Sequence, residues 1–382
     1  MFYFPVTIIA GEGCRRQLGT HLRRLERRRP LIVTDPGIAS AGHLAAVAGL
    51  LKKEGMAFET FQEVAADPPM GIARRAARAL QAGRHDLVVA LGGGSAIDVA
   101  KAAAILAVND IDLLQYQGPR QTYPRPPLPL MTLPTTAGSG SEVSSAALLV
   151  DEQTRQKVYL KSPQLFPRIA FLDGALVAGI PASIAAVAGA DVLCHAVESL
   201  TNPHCTFVAR LTAVRSIQLI FVHLRSFVAD TRSRTRGQQL LEASALAGMA
   251  MTTAGLGLVH AIAHPLGVRG RISHGMACGL LLPAVMRFNC AAVSSQYSSL
   301  IRTVGGHARF EKDPPRNAAA QVIRAVEKLL GDIGLPANLP ESRSIGNAVA
   351  AIAAEAHASF LNHVNPRPAS RAEIEGILKQ IL

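Results

Sequence analysis

Four histidines and one aspartate stand at spacings that suit a metal ion. Asp191 and His195 lie four residues apart in an Ala/Gly-rich segment, so on a helix both project from one face. His260 and His264 repeat that spacing, and His274 follows with Gly275 behind it. One carboxylate and up to three imidazoles, converging from apolar helices, form a donor set for a divalent transition metal. Such groups are costly to bury among alanines without a partner. Taken singly, each histidine reads as a hydrogen-bonded core residue; taken together they read as a metal site. Spacing leaves open whether His264 or His274 supplies the third imidazole.

A second chemistry is phosphate binding. Leu87–Leu91 is a continuous apolar run that enters Gly92-Gly93-Gly94-Ser95 and then a helical pattern. Glycines let backbone N–H groups approach a phosphate closely, and a helix start adds partial positive charge. Ser95 and Asp98 have capping-box spacing, which predicts Ser95 as the N-cap. A second small-residue loop, Thr135-Thr136-Ala137-Gly138-Ser139-Gly140-Ser141, follows another strand pattern. Two such loops favour a nucleotide. Neither is a GxGxxG or a Walker A loop. Asp35, ending an early strand, is placed to hydrogen-bond an adenosine ribose diol. A carboxylate there repels a 2′-phosphate, which favours NAD over NADP.

Elements that could position these groups follow from periodicity. Strands are predicted at Leu31–Thr34, Phe58–Phe61, Leu87–Leu91 and Pro129–Leu133, with helices at His43–Gly55 and Ile72–Gln81 between them. That alternation predicts a parallel sheet flanked by helices over residues 1–180. Lys157–Leu160 and Ile169–Asp173 read as the end of that sheet. The Pro-rich stretch from Pro119 to Pro129 reads as an irregular loop. From Pro181 onward the pattern is helical, which predicts an all-α domain over 181–382.

Composition narrows the class. The chain has 382 residues, 49% hydrophobic and 17% charged, which excludes intrinsic disorder and allows two cores. Its formal net charge is +12, with seven arginines between Arg15 and Arg29. Lysine is scarce beside arginine and no aromatic residues interleave to stack bases, so a solvated surface is expected and no nucleic-acid partner. Each apolar run is interrupted by Arg, Asp, His or Gly, so no membrane partner is expected. The opening Met1-Phe2-Tyr3-Phe4-Pro5 lacks a signal-peptide pattern, and five scattered cysteines without a CxxC pair suit a reducing cytoplasm.

Longer motifs carry a resemblance. Gly92-Gly93-Gly94-Ser95-x-x-Asp98-x-Ala100-Lys101 and Pro134–Glu142 are two of them. Gly189-x-Asp191-x-x-x-His195-Ala196-x-Glu198, Gly255–Gly267 with His274-Gly275, and Asn365-Pro366-Arg367-Pro368 complete the set. Over nearly the whole chain they resemble the iron-containing (group III) alcohol dehydrogenases. The resemblance implies an α/β nucleotide domain and a helical domain of dehydroquinate synthase-like architecture, with the active site in the cleft between. It implies Asp191, His195, His260 and His274 as metal ligands, and His264 as the non-ligand catalytic histidine. It also implies NAD contacts at Asp35, Asp67, Gly92, Gly93, Gly94, Ser95, Asp98, Thr135, Thr136, Ser139 and Lys157. Asp67-Pro68 stands where the family often has Asn-Pro.

The implied metal is Fe²⁺, although Zn²⁺ suits three histidines and an aspartate equally well. The implied reaction is metal-dependent, NAD(H)-linked alcohol dehydrogenation or aldehyde reduction. Hydride passes between an alkoxide held by the metal and nicotinamide C4. The substrate is then a small alcohol or aldehyde, and Arg269 and Arg271 are placed to hold an anionic one. A maleylacetate-reductase-like activity is the alternative within the same superfamily. A homodimer is the implied assembly. Met251, Phe288 and Phe360 are candidate pocket residues or core.

Overall fold

The computed structural model describes residues 3–118, 121–154, 156–305, 313–339 and 345–382. Met1 and Phe2 of the N-terminal reading, and Pro119 of the Pro-rich loop, lie outside them. The chain divides into two units, Phe4–Gly179 and Ile180–Leu382, with Tyr3 grouped with the second.

The first unit carries a sheet of strands β1 (Thr7–Ala10), β2 (Pro30–Val33), β3 (Glu59–Phe61), β4 (Leu87–Gly92), β5 (Leu130–Pro134) and β8 (Ile169–Leu172). Their order is β1-β8-β5-β4-β2-β3 and every pairing is parallel. β2, β4, β5 and β8 are buried along their whole length. Continuous apolar runs give such strands because helices cover both faces. Val88 and Ala90 join one core with α4 (Met70–Ala82) and α5 (Gly94–Leu106). Leu87, Val89 and Leu91 join the other with α1 (Leu18–Arg24) and α3 (His43–Lys53). The period of two along β4 is therefore read as two separate cores. The short helices α2 (Pro36–Ser40) and α6 (Gly174–Val177) also belong to the unit.

Two sequence expectations are corrected here. Lys157–Leu160 does not extend the sheet: β7 (Lys157–Lys161) pairs antiparallel with β6 (Ala146–Val150) in a separate hairpin. Their alternating burial marks a half-covered ribbon, unlike the fully buried sheet strands. β8 is not at the sheet's end but between β1 and β5, because β1, missed in the sequence, forms that edge.

The second unit is helical: α7 (Ala182–Thr201), α8 (Phe207–Ala229), α9 (Arg234–Ala254), α10 (Leu258–Gly270), α11 (His274–Ser298), α12 (Pro315–Asp332), α13 (Val349–Ala358), α14 (Phe360–His363) and α15 (Arg371–Lys379). Small residues set its closest approaches. A Cβ on Gly275 would stand 2.2 Å from the Val187 carbonyl oxygen, so glycine is what lets the start of α11 meet α7.

The expectation that no segment has the length and composition of a membrane span is also corrected. α7, α8 and α11 each do by those criteria alone. Scattered Arg, His or Gly residues interrupt a run without lowering the average over a long helix. Neighbouring helices cover most of the apolar window in α7 and α11. In α8 only 39% of it is buried, and Phe207, Leu211 and Val222 are exposed.

Candidate metal centre and nucleotide cradle

In the sheet, the connection from β2 leads outward to β3 and that from β4 leads the other way to β5. The carboxyl ends of β2 and β4 therefore flank a topological switch point, where open parallel sheets bind ligands. Asp35 follows β2 there. Its Oδ1 caps α2 by accepting from the Ile38 N–H at 2.9 Å, and Oδ2 lies 3.5 Å from where a Gly92 Cβ would stand. The aspartate is both turn former and carboxylate beside the glycine loop.

The two predicted loops meet because β4 and β5 are neighbours, with Gly92 in register with Pro134. A Cβ on Gly93 would stand 3.0 Å from Thr136 Oγ1, and one on Gly94 would stand 2.7 Å from Ser139 Oγ. The glycines thus let the first loop pack closely against the second, and the two together form the cradle. Thr135 is fully buried beneath it, and its Oγ1 has no hydrogen-bond partner. A glycine loop without side chains at the start of α5 and an orphaned buried hydroxyl fit a phosphate-bearing cofactor.

The capping box expected at Ser95 does not form. α5 starts at Gly94, with Gly93 as an N-cap that offers no side chain. Asp98 does not cap the helix: it accepts from Ser141 Oγ at 2.5 Å and the Leu148 N–H at 3.0 Å. Burial pushes its carboxyl up, against the pull of Lys101 and these donors. Lys101 is the unforeseen partner. Its buried Nζ reaches the Ser141, Ser144 and Ala146 carbonyls at 2.7–2.9 Å, and the Ser141 and Ser144 hydroxyls. Burial lowers this ammonium to about 8, partly opposed by Asp98 and Glu142.

Asp67 and Lys157 are brought together as an ion pair. Asp67 sits in the left-handed region at φ 47°, a conformation that Asn and Asp tolerate best. The Pro68 carbonyl accepts from the Val150 N–H at 2.9 Å, so this turn is tied to the hairpin that carries Lys157.

In the helical unit, Asp191 and His195 project from one face of α7, His260 and His264 lie on α10, and His274 opens α11. Asp191 Oδ1 is buried without a hydrogen-bond partner. Around it stand the Nε2 atoms of His195 at 3.6 Å, His260 at 3.7 Å and His274 at 3.5 Å. These four donors lie within 4.8 Å of one another. An orphaned carboxylate oxygen facing three imidazole nitrogens fits a divalent cation. Among the described residues, the group that could hold a cation takes in His274 rather than His264. The ring of His264 lies beside it, with centroids 5.5 Å apart and planes at 28°. Burial pushes the Asp191 carboxyl up, but the charges of His195, His274 and His260 outweigh it and hold it well below the usual range.

Residues absent from the predicted set hold these ligands in place. Glu198, one turn beyond His195 on α7, receives His260 Nδ1 at 2.5 Å and the Val259 N–H at 2.6 Å. This fixes the His260 proton on Nδ1 and leaves Nε2 toward Asp191. Asn365 accepts from the Leu258 N–H at 3.1 Å, and its amide donates to Asn289 Oδ1 at 2.7 Å, which anchors the start of α10. Cys278, four residues past His274, places Sγ 3.6 Å from His274 Nε2 and 3.8 Å from His260 Nε2.

The remaining candidates have neighbours of their own. Arg269 pairs with Glu355, and Arg271 closes α10 at φ 50°. Phe288 lies under the Arg367 guanidinium at 4.0 Å, and Phe360 is exposed. Met251 is half-buried on α9.

Comparison with known proteins places these features. A family model described as iron-containing alcohol dehydrogenase matches residues 5–174. One described as Fe-containing alcohol dehydrogenase family, C-terminal, matches residues 185–382. The chain is 33% identical to long-chain-alcohol dehydrogenase 1 of Geobacillus thermodenitrificans, over 88% of this chain and 85% of that protein. It is 30% identical to lactaldehyde reductase of Escherichia coli K12, over 95% and 94% of the two chains. The solved alcohol dehydrogenase from Oenococcus oeni superposes with a TM-score of 0.96 at 29% identity and covers all of both chains. By these matches over both halves, the chain belongs to the iron-containing alcohol dehydrogenase family, oxidoreductases that act on CH–OH groups with NAD(H) and iron.

Proposed function

We propose that the chain interconverts a small uncharged alcohol and its aldehyde, with Asp191, His195, His260 and His274 holding one Fe²⁺ and the cradle of Gly92–Ser95 and Thr135–Ser139 holding NAD(H). The observation that carries this is the buried Asp191 Oδ1, without a hydrogen-bond partner and 3.5–3.7 Å from three imidazole nitrogens. Zn²⁺ suits the same donors on ligand chemistry. When bound, the cation supplies Lewis acidity toward the substrate oxygen and the nicotinamide supplies or takes the hydride.

The residues of the chain supply position and proton management. Asp35 carries the charge that disfavours a 2′-phosphate, while the Asp67–Lys157 pair supports a contact beside the cradle. Glu198 keeps His260 in the tautomer that turns Nε2 to Asp191. His264, outside the four-donor set, exchanges the substrate proton at its imidazole. His264→Ala should retain the metal and lower turnover about 10²–10⁴-fold; loss of metal instead would make it a ligand. Arg269 is engaged by Glu355, which leaves it less available to an anionic substrate.

The same proposal places the protein in the cytoplasm as a homodimer. The five unpaired cysteines support the compartment, and the exposed Phe207, Leu211 and Val222 support self-association. Light scattering on the purified chain tests the assembly.

NADH formation by anaerobically purified protein, across neutral and acidic alcohols and with or without added Fe²⁺, tests the activity. Iron-dependent turnover of a neutral alcohol, lost in His260→Ala, is the expected result. Turnover confined to acidic substrates, or indifferent to His260→Ala, would overturn the proposal.

A further inference from the structure

The resident donor set leaves one adjacent side chain unused. Cys278 is fully buried one helical turn beyond His274, and its Sγ lies 3.6 Å from His274 Nε2 and 3.8 Å from His260 Nε2. Two donors on a common zinc-sized cation, with a metal–nitrogen bond near 2.1 Å and a metal–sulfur bond near 2.3 Å, stand about 3.6–3.8 Å apart at angles of about 110–120°, and the longer bonds of a larger cation meet the same spacing at narrower angles. The ligand nitrogens of His260 and His274 lie within 4.8 Å of each other, which closes the triangle. The buried Asp191 Oδ1, without a hydrogen-bond partner and 3.5 Å from His274 Nε2, shows that this pocket is shaped to face a cation.

We propose that His260, His274 and Cys278 form a second, overlapping site for a thiophilic cation such as Cd²⁺ or Cu⁺, which competes with the resident metal for its two shared histidines. Hard and borderline cations favour the Asp191-containing set, because carboxylate oxygen suits them. Soft cations favour thiolate sulfur. On binding, the Cys278 thiol releases its proton to solvent and forms the metal–sulfur bond; no electron is transferred. The site is therefore a built-in route to mismetallation: a soft ion need not displace all four resident ligands.

The test is titration of the whole protein with Cd²⁺ after the resident metal has been chelated, read by thiolate-to-cadmium charge-transfer absorbance and by cadmium NMR. One equivalent should develop the band, and the cadmium resonance should report one sulfur ligand. Cys278→Ser should abolish the band and weaken Cd²⁺ at least about tenfold, or about 1.4 kcal/mol, while Zn²⁺ affinity changes far less. His195→Ala should weaken Zn²⁺ yet keep the band. Cys194→Ser controls for the neighbouring thiol, which donates to the Cys278 carbonyl. A band that survives Cys278→Ser, or a wild-type resonance with only nitrogen and oxygen ligands, would overturn the proposal. The resonance needs no variant, so a misfolded substitution does not decide the outcome.

Discussion

Glu198 Oε2 and His260 Nδ1 lie 2.5 Å apart in a buried hydrogen bond, and Glu198 Oε1 takes the Val259 N–H at 2.6 Å. One carboxylate thus orients the ligand histidine and satisfies the first turn of the helix that carries it. Glu198→Gln keeps the shape and removes the charge. It should weaken the metal by about 10–100-fold in chelator competition while circular dichroism stays unchanged. Unchanged metal affinity would reduce Glu198 to a helix cap.

The cradle makes a steric prediction with its own rescue. The Cβ of Gly94→Ala would stand 2.7 Å from Ser139 Oγ and 2.8 Å from Ser139 Cβ. NAD⁺ binding by calorimetry should weaken at least about tenfold. Adding Ser139→Gly removes the clash and should restore part of that loss, since neighbouring substitutions couple.

Cofactor choice can be separated from stability at Asp35. Because its side chain caps α2, alanine would damage the helix as well as remove charge. Asp35→Ser retains a capping oxygen. The preference for NAD⁺ over NADP⁺ in paired binding titrations should narrow by roughly tenfold, with little change in melting temperature. A preserved preference would place the discriminating charge elsewhere.

Lys101 makes a pH prediction. Burial lowers its native pKa to about 8, below the roughly 10.4 of an unfolded lysine. Between those values the unfolded chain binds more protons than the folded one, so stability from this group rises with pH. The penalty is fully present below about pH 8. The stability of wild type relative to Lys101→Met, from urea denaturation, should therefore grow by roughly 1–3 kcal/mol toward pH 10. A flat difference would mean that the oxygen atoms around Nζ hold the proton as firmly as water does.

The sheet strands were legible because continuous apolar runs ending in glycine or turn residues leave few alternatives. β1 was not: Thr7–Ala10 is only half-covered at an edge, so its pattern is weak. The separate β6–β7 hairpin depends on which residues pair across the chain, which periodicity does not encode. In the site, i,i+4 spacing gave the Asp191–His195 and His260–His264 pairs. The same reasoning reaches Glu198 and Cys278 once an anchor is known, since each lies a turn from a ligand on its own helix. Asn289 and Asn365 are 76 residues apart and were out of reach. The capping box at Ser95 was misread because its spacing is a local signal, and a partner 43 residues away took the Asp98 oxygen.

The grip of Lys101 on Ser141, Ser144 and Ala146 has a consequence for binding entropy. Those residues lead out of the cradle's second loop, and one ammonium immobilises their backbone during folding. The segment that follows the wall of Thr136 and Ser139 is thus tied down before any nucleotide arrives. Ordering it costs nothing at the moment of association. Lys101 thereby bears on the cradle through the backbone that follows its second loop.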